Sequence, residues 1–106
     1  MAAIENINLE IERITNICQQ WQITELALFG SVLRKDFNDS SDVDVLVSFA
    51  DNAKITFFDL DTIEQQLSVI FHRPVDLVTK RAIEQSHNPI RKKNILENAT
   101  VIYEQR

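Results

Sequence analysis

The feature that most constrains this chain is a pair of aspartates, Asp42 and Asp44, at the head of the apolar run 43–49. The run is rich in β-branched residues and is typical of a central strand. Side chains two residues apart on a strand point to the same face of the sheet. Two carboxylates on one face repel each other unless a cation or a proton intervenes. The pair therefore indicates a cation site, and a hard divalent metal ion is the first candidate.

A single glycine stands upstream of this pair. Gly30 is the only glycine in the chain, ends the apolar run 24–29 and is followed at once by Ser31. Backbone N–H groups at the start of a helix can bind phosphate, and glycine allows the phosphate to approach closely. Gly30 and Ser31 are therefore candidate phosphate-binding residues.

A third carboxylate, Asp76, interrupts another apolar run, 74–79. Aspartate is disfavoured inside strands, so its presence there indicates a function. If runs 43–49 and 74–79 pair side by side, Asp76 joins Asp42 and Asp44 on the sheet. Such oxygen donors suit Mg²⁺, and two ions of this kind would clamp the attacking and leaving oxygens of a phosphoryl displacement.

The hydrophobic periodicity predicts an α/β fold in which helices flank a small sheet. In the helix predicted over 56–71, Phe57 falls on the apolar side, which is expected to be buried. Residues 1–106 show no internal boundary and are expected to form a single domain. The predicted helices are 4–20, a short helix over 31–35, 56–71, 81–86 and about 89–98, and the predicted strands are 24–29, 43–49, 74–79 and 101–103.

Composition excludes several classes of protein. The net charge of −5 argues against a nonspecific nucleic-acid binder, which needs an excess of Lys and Arg. One cysteine, Cys18, allows no disulfide within the chain, and its place on the apolar stripe of the first helix predicts burial. Without a recognisable signal peptide or a membrane-spanning run, the expected location is the cytoplasm.

The acidic pair and the residues before it resemble the signature of the minimal nucleotidyltransferases, small members of the DNA polymerase β-like nucleotidyltransferase superfamily. Two positions depart from the family pattern, because Leu33 and Lys35 stand where a small residue and a glycine are often found. The residues that carry the resemblance are Gly30, Ser31, Arg34, Asp36, Ser41, Asp42 and Asp44.

This resemblance implies a mixed-sheet nucleotidyltransferase fold with Asp42 and Asp44 as metal ligands. Asp76 matches the third carboxylate, which helps to activate the attacking hydroxyl. Gly30 and Ser31 match the residues that hold the β- and γ-phosphates of the nucleotide. Arg34 matches the nucleotide-binding part of the signature.

Minimal nucleotidyltransferases are commonly encoded beside a HEPN-domain protein, an RNA-cleaving toxin. The resemblance therefore implies an Mg²⁺-dependent antitoxin that transfers AMP from ATP to a tyrosine of its HEPN partner within a hetero-oligomer. Two alternatives stay open from the residues alone. The chain could neutralise its partner by binding without catalysis, or it could transfer nucleotides to a small molecule or to RNA.

Overall fold

The computed structural model describes residues 10–30 and 41–105, which build an α/β fold around a mixed sheet. No helix within these ranges is long and apolar enough to cross a membrane. The elements in chain order are α1 (Ile11–Gln20), β1 (Ile23–Phe29), β2 (Val43–Phe49), α2 (Phe57–Phe71), β3 (Val75–Thr79), α3 (Lys80–Glu84), α4 (Pro89–Asn98) and β4 (Thr100–Glu104).

The sheet of the described residues has the strand order β3-β2-β1-β4. Strand β1 pairs antiparallel with β2 and β4, whereas β2 and β3 run parallel. The predicted side-by-side pairing of the second and third strands is thus confirmed. The predicted central position of β2 is confirmed as well, and β4 lies at the edge next to β1.

The helices cover the sheet in two layers. Helices α1 and α2 pack on one face, and α3 and α4 pack on the other. Along β2, Val43, Val45 and Val47 join the first cluster and Leu46 joins the second. Since side chains alternate along a strand, Asp44 shares the face of Leu46, which is the face covered by α3 and α4.

Two helices begin at the signals present in the sequence. Asp59 N–H donates to Thr56 Oγ1 at 3.1 Å, and Thr56 N–H donates to Asp59 Oδ2 at 3.0 Å. This reciprocal capping box satisfies two N–H groups that lack helical partners at the start of α2. Arg91 N–H donates to Asn88 Oδ1 at 3.0 Å, and Pro89 occupies the first position of α4.

The outer edge of β3 is bonded to α2. Val75 N–H donates to Ser68 Oγ at 3.1 Å, and Leu77 N–H donates to Glu64 Oε2 at 3.2 Å. These bonds satisfy two backbone N–H groups of β3, which is an edge strand. Left unpaired, such groups could bond to a strand of another chain. They also fix β3 beside β2, and so they position Asp76.

The expected burial of Phe57 is wrong, because this side chain is 90% exposed. It occupies the first turn of α2, away from the buried stripe of Ile63, Leu67 and Ile70. The helix predicted over 4–20 is observed over Ile11–Gln20, and residues 4–9 lie outside the described ranges.

Cys18 is fully buried in the layer between the sheet and α1, as predicted. Burial raises the pKa of its thiol from the ordinary value of 9.0 to about 12. The folded chain therefore keeps this proton between pH 9 and pH 12, whereas the unfolded chain releases it.

We expect the free energy of unfolding to fall as the pH rises through this window. The contribution of one proton is about 1.4 kcal/mol per pH unit. Urea denaturation of the native chain and of Cys18→Ala, measured at several pH values from 8 upward, isolates this effect as the difference between their slopes. Parallel slopes for the two proteins would contradict it.

Candidate active site

The predicted carboxylates lie at one edge of the sheet. Asp44 is in register with Phe29 of β1 on one side and with Asp76 of β3 on the other. Asp42 directly precedes β2, and the following amide, Val43 N–H, donates to the carbonyl of Pro74 at 2.9 Å. The C-terminal end of β1 and the N-terminal ends of β2 and β3 therefore meet where the aspartates stand.

All three aspartates share the sheet face that α3 and α4 cover. On this face Leu46 and Val78, two residues further along β2 and β3 than Asp44 and Asp76, belong to the packed cluster. The aspartates lie just beyond that cluster, with Asp44 half-buried and Asp42 and Asp76 exposed. Asp42, Asp44 and Asp76 therefore form an acidic edge that solvent and a substrate can reach.

Gly30 lies against Asp44. Its φ is +76°, in the left-handed region that other residues rarely adopt. A Cβ added to Gly30 would collide with Asp44 Oδ2 and would stand 3.2 Å from Asp44 Cγ. Both the backbone conformation and the close approach thus require glycine at this position.

This approach of Gly30 to Asp44 was not foreseen from the sequence, because it depends on the antiparallel register of β1 and β2. The sequence assigned Gly30 to phosphate binding alone. Ser31 and Arg34, the other predicted nucleotide-binding residues, lie outside the described ranges. Their roles stay predictions.

The paired carboxylates carry an electrostatic cost. Adjacent strands lie about 4.8 Å apart, and Asp44 and Asp76 are direct neighbours across β2 and β3. Two like charges at such a separation repel by about 1 kcal/mol in water and by more where the site is partly desolvated. A bound cation would offset this repulsion.

The donor set suits Mg²⁺ in a particular way. Among residues 10–30 and 41–105, no group of three or more His, Cys, Asp or Glu side chains could hold a metal ion as it stands. Mg²⁺ commonly takes only one or two protein carboxylates and completes its shell with water and substrate phosphates. Asp42 and Asp44, with Asp76 beside Asp44, would fit that mode of binding if two of the three bind one ion and the protein supplies only part of the shell.

A cleft of about 450 Å³ opens at the opposite end of the strands, at the C-terminal ends of β2 and β3. Its lining includes Phe49, Leu60, Lys80 and Arg81 and none of the predicted site residues. The cleft is separated from the aspartates by the length of β2. It is therefore not part of the acidic site.

Comparison with known proteins places the chain in a family. The Nucleotidyltransferase domain family matches residues 11–102. A Methanocaldococcus jannaschii protein, provisionally named a protein adenylyltransferase, is 35% identical over 79 residues, which are 74% of this chain and 76% of that protein. The chain therefore belongs to the nucleotidyltransferase domain family, and its resemblance to the minimal nucleotidyltransferases is confirmed.

Solved structures confirm the fold. A crystal structure of a toxin–antitoxin with AMP-PNP aligns with a TM-score of 0.69 at 20% identity, over 92% of this chain and 76% of that one. The structure of a tri-AMPylated Shewanella oneidensis HEPN toxin in complex with its MNT antitoxin aligns with a TM-score of 0.60 at 20% identity, over 89% and 69% of the two chains. The small mixed sheet with flanking helices is thus the nucleotidyltransferase fold.

The contact between Gly30 and Asp44 generates a prediction. Gly30→Ala should lower the free energy of unfolding by roughly 1–3 kcal/mol, since alanine must adopt a left-handed φ and its Cβ meets a carboxylate. Chemical denaturation of the single variant measures this loss. An unchanged stability would contradict the described geometry.

A double-mutant cycle separates the two causes. Asp44→Ala removes the group with which the new Cβ collides but leaves the φ of residue 30 unchanged. The loss caused by Gly30→Ala should therefore be smaller in the Asp44→Ala background than in the native chain.

Proposed function

We propose that this chain is an Mg²⁺-dependent protein adenylyltransferase that transfers AMP from ATP to a tyrosine of a HEPN-domain toxin and thereby neutralises it. The observation that carries the proposal is the register of Asp44 with Asp76, at the solvent-accessible strand ends and beside a required glycine. That arrangement provides acidic ligands and a close approach for phosphate in a chain of the nucleotidyltransferase family.

The chain's own residues divide the reaction between them. Gly30 and Ser31, which directly follow β1 in the sequence, bind the β- and γ-phosphates of ATP. Asp76 accepts the proton of the incoming tyrosine hydroxyl. The hydroxyl oxygen then bonds to the α-phosphorus, the bond from that phosphorus to the bridging oxygen breaks, and pyrophosphate leaves.

Asp42 and Asp44, with Asp76, hold the metal in this proposal. Mg²⁺ bound there neutralises charge on the triphosphate and on the leaving group. The half-buried position of Asp44 fixes one ligand by packing, and the exposed positions of Asp42 and Asp76 leave room for substrate. The AMP-PNP present in one structural relative supports a nucleoside triphosphate as substrate.

The acceptor is assigned by similarity of fold and sequence. One structural relative is the antitoxin bound to a tri-AMPylated HEPN toxin, and the Methanocaldococcus jannaschii relative carries the name of a protein adenylyltransferase. A protein acceptor also suits an acidic edge that is open to solvent. The expected assembly is a hetero-oligomer with the toxin.

A transfer assay tests the proposal. The purified chain is incubated with α-labelled ATP, Mg²⁺ and the protein encoded by the adjacent gene. We expect label on that protein, and a loss of at least about a hundredfold in rate for Asp42→Asn/Asp44→Asn, because the metal ligands are removed. Asp51→Asn/Asp61→Asn is the matched control, since it removes two exposed carboxylates away from the site.

Three outcomes would contradict parts of the proposal. Equal labelling by both double variants would exclude the acidic edge as the active site. Label found by mass spectrometry on a residue other than tyrosine would exclude the acceptor. Rescue of cells from the toxin by Asp42→Asn/Asp44→Asn would favour neutralisation by binding alone.

The repulsion between neighbouring carboxylates gives a separate prediction about stability. With EDTA present, Asp76→Asn should raise the free energy of unfolding by about 1 kcal/mol, because it removes one of two like charges on adjacent strands. Mg²⁺ should stabilise the native chain and should stabilise the variant less.

Urea denaturation with and without Mg²⁺ measures both effects. Asp51→Asn, which removes an exposed carboxylate in the turn after β2, serves as the control and should show neither change. A variant that is less stable than the native chain in EDTA would show that Asp76 has a structural role instead.

A further inference from the structure

The positive charge of this acidic chain is concentrated in α3 and α4. Residues 80–93 contain five of the eleven Lys and Arg and a single carboxylate, Glu84, so they carry a net charge of +4. The rest of the chain then carries −9. A charge distribution of this kind produces a local positive potential on a protein that otherwise repels anions.

Two of these five cations make contacts with other residues of the described structure. Lys80 Nζ lies 3.7 Å from Glu25 Oε1, and Lys92 Nζ donates to the carbonyl of Glu84 at 3.0 Å. Arg81, Arg91 and Lys93 are exposed. The two internal contacts hold α3 and α4 against the sheet and each other, and the remaining cations face outward.

An exposed aliphatic side chain accompanies the cations. Ile90 is 74% exposed in the first turn of α4, directly before Arg91. The same helix is anchored by Ile95, which is buried against Ala27, Phe29 and Leu46. Ile90 therefore contributes nothing to the core, whereas an apolar residue surrounded by cations is suited to an interface with another protein.

The position of this surface relates it to the acidic edge. Helices α3 and α4 cover the sheet face from which Asp44 and Asp76 project. Helix α3 begins at the C-terminal end of β3, whereas Asp76 lies near its N-terminal end, so a protein that presents a side chain to those aspartates and also contacts α3 and α4 spans the length of the strands. Charge complementarity then requires the partner to be acidic where it meets Arg91 and Lys93.

We infer that Ile90, Arg91 and Lys93 of α4 form a docking surface for an acidic, partly apolar patch of the acceptor protein. This inference rests on the proposed function, because it names how the acceptor of that reaction is held. RNA fits the surface less well. The remaining −9 charge repels a long polyanion, and residues 80–93 contain no Phe, Tyr or Trp on which bases would stack.

Binding measured without catalysis tests the inference. The protein encoded by the adjacent gene is immobilised, and its affinity for the native chain is measured by interferometry at several salt concentrations. Arg91→Glu/Lys93→Glu should weaken binding by about tenfold or more, and the affinity of the native chain should fall as salt increases. Both positions are exposed, so folding should be unaffected, and circular dichroism checks this.

The matched control is Arg13→Glu/Lys54→Glu, which changes the net charge by the same amount at exposed positions elsewhere. Equal weakening by both double variants would show that only the total charge matters and would overturn the inference.

A second pair of variants tests the contribution of the apolar side chain. Ile90→Ala should weaken binding, whereas Val69→Ala, at a residue that is 62% exposed on α2, should not.

The remaining outcomes distinguish this inference from the proposed function. Loss of binding by the α4 variants without any AMP transfer by the native chain would support the docking surface and contradict the reaction. Normal binding and labelling by those variants would support the reaction and overturn the docking surface. No binding by the native chain, or tighter binding to a 20-nucleotide RNA that the α4 variants abolish, would also overturn it.

Discussion

The parallel pairing of β2 and β3 is the constraint that creates the acidic edge, because it places Asp44 and Asp76 side by side. The two residues are in direct register, so the backbone fixes the distance between their Cα atoms. The edge of β3 is fixed in turn by Glu64 and Ser68 of α2, which accept hydrogen bonds from its amides. A helix on one face of the sheet thus maintains the spacing of charged groups that project from the other face.

The contact with Asp44 also explains why residue 30 is a glycine. The antiparallel register of β1 and β2 brings residue 30 against the carboxylate of Asp44, where a side chain has no room. In the proposed function Asp44 binds the metal ion and Gly30 binds phosphate. The close approach of Gly30 to Asp44 would then bring the two halves of the site together.

Much of the secondary structure was predictable from local sequence signals. The β-branched run of β2, the capping box at Thr56 and the Asn88-Pro89 pair each determine an element through nearby residues, and each element was observed where expected. Strand order was predictable only for β2 and β3, where the aspartates indicated it. Register depends on long-range packing and could not be read from one sequence. Phe57 was misassigned because apolar character alone does not show whether a first-turn residue reaches the core.

The sequence singled out the three aspartates but did not show how complete a ligand set they form. In the described residues they share a face without forming a group of three that could hold an ion as it stands. This matches a metal that arrives with its nucleotide, because the triphosphate then supplies the missing oxygens. The charge separation on the same face, with carboxylates at the sheet edge and cations on α3 and α4, suits a substrate protein that contacts both regions.

Crystals grown with Mn²⁺ and a non-hydrolysable ATP analogue test the central claim most directly, because manganese can be located by its anomalous scattering. We expect a manganese peak within coordination distance of Asp42 and Asp44, with the triphosphate extending toward Gly30. A triphosphate bound instead in the cleft beside Lys80 and Arg81, or a metal bound away from the three aspartates, would contradict it.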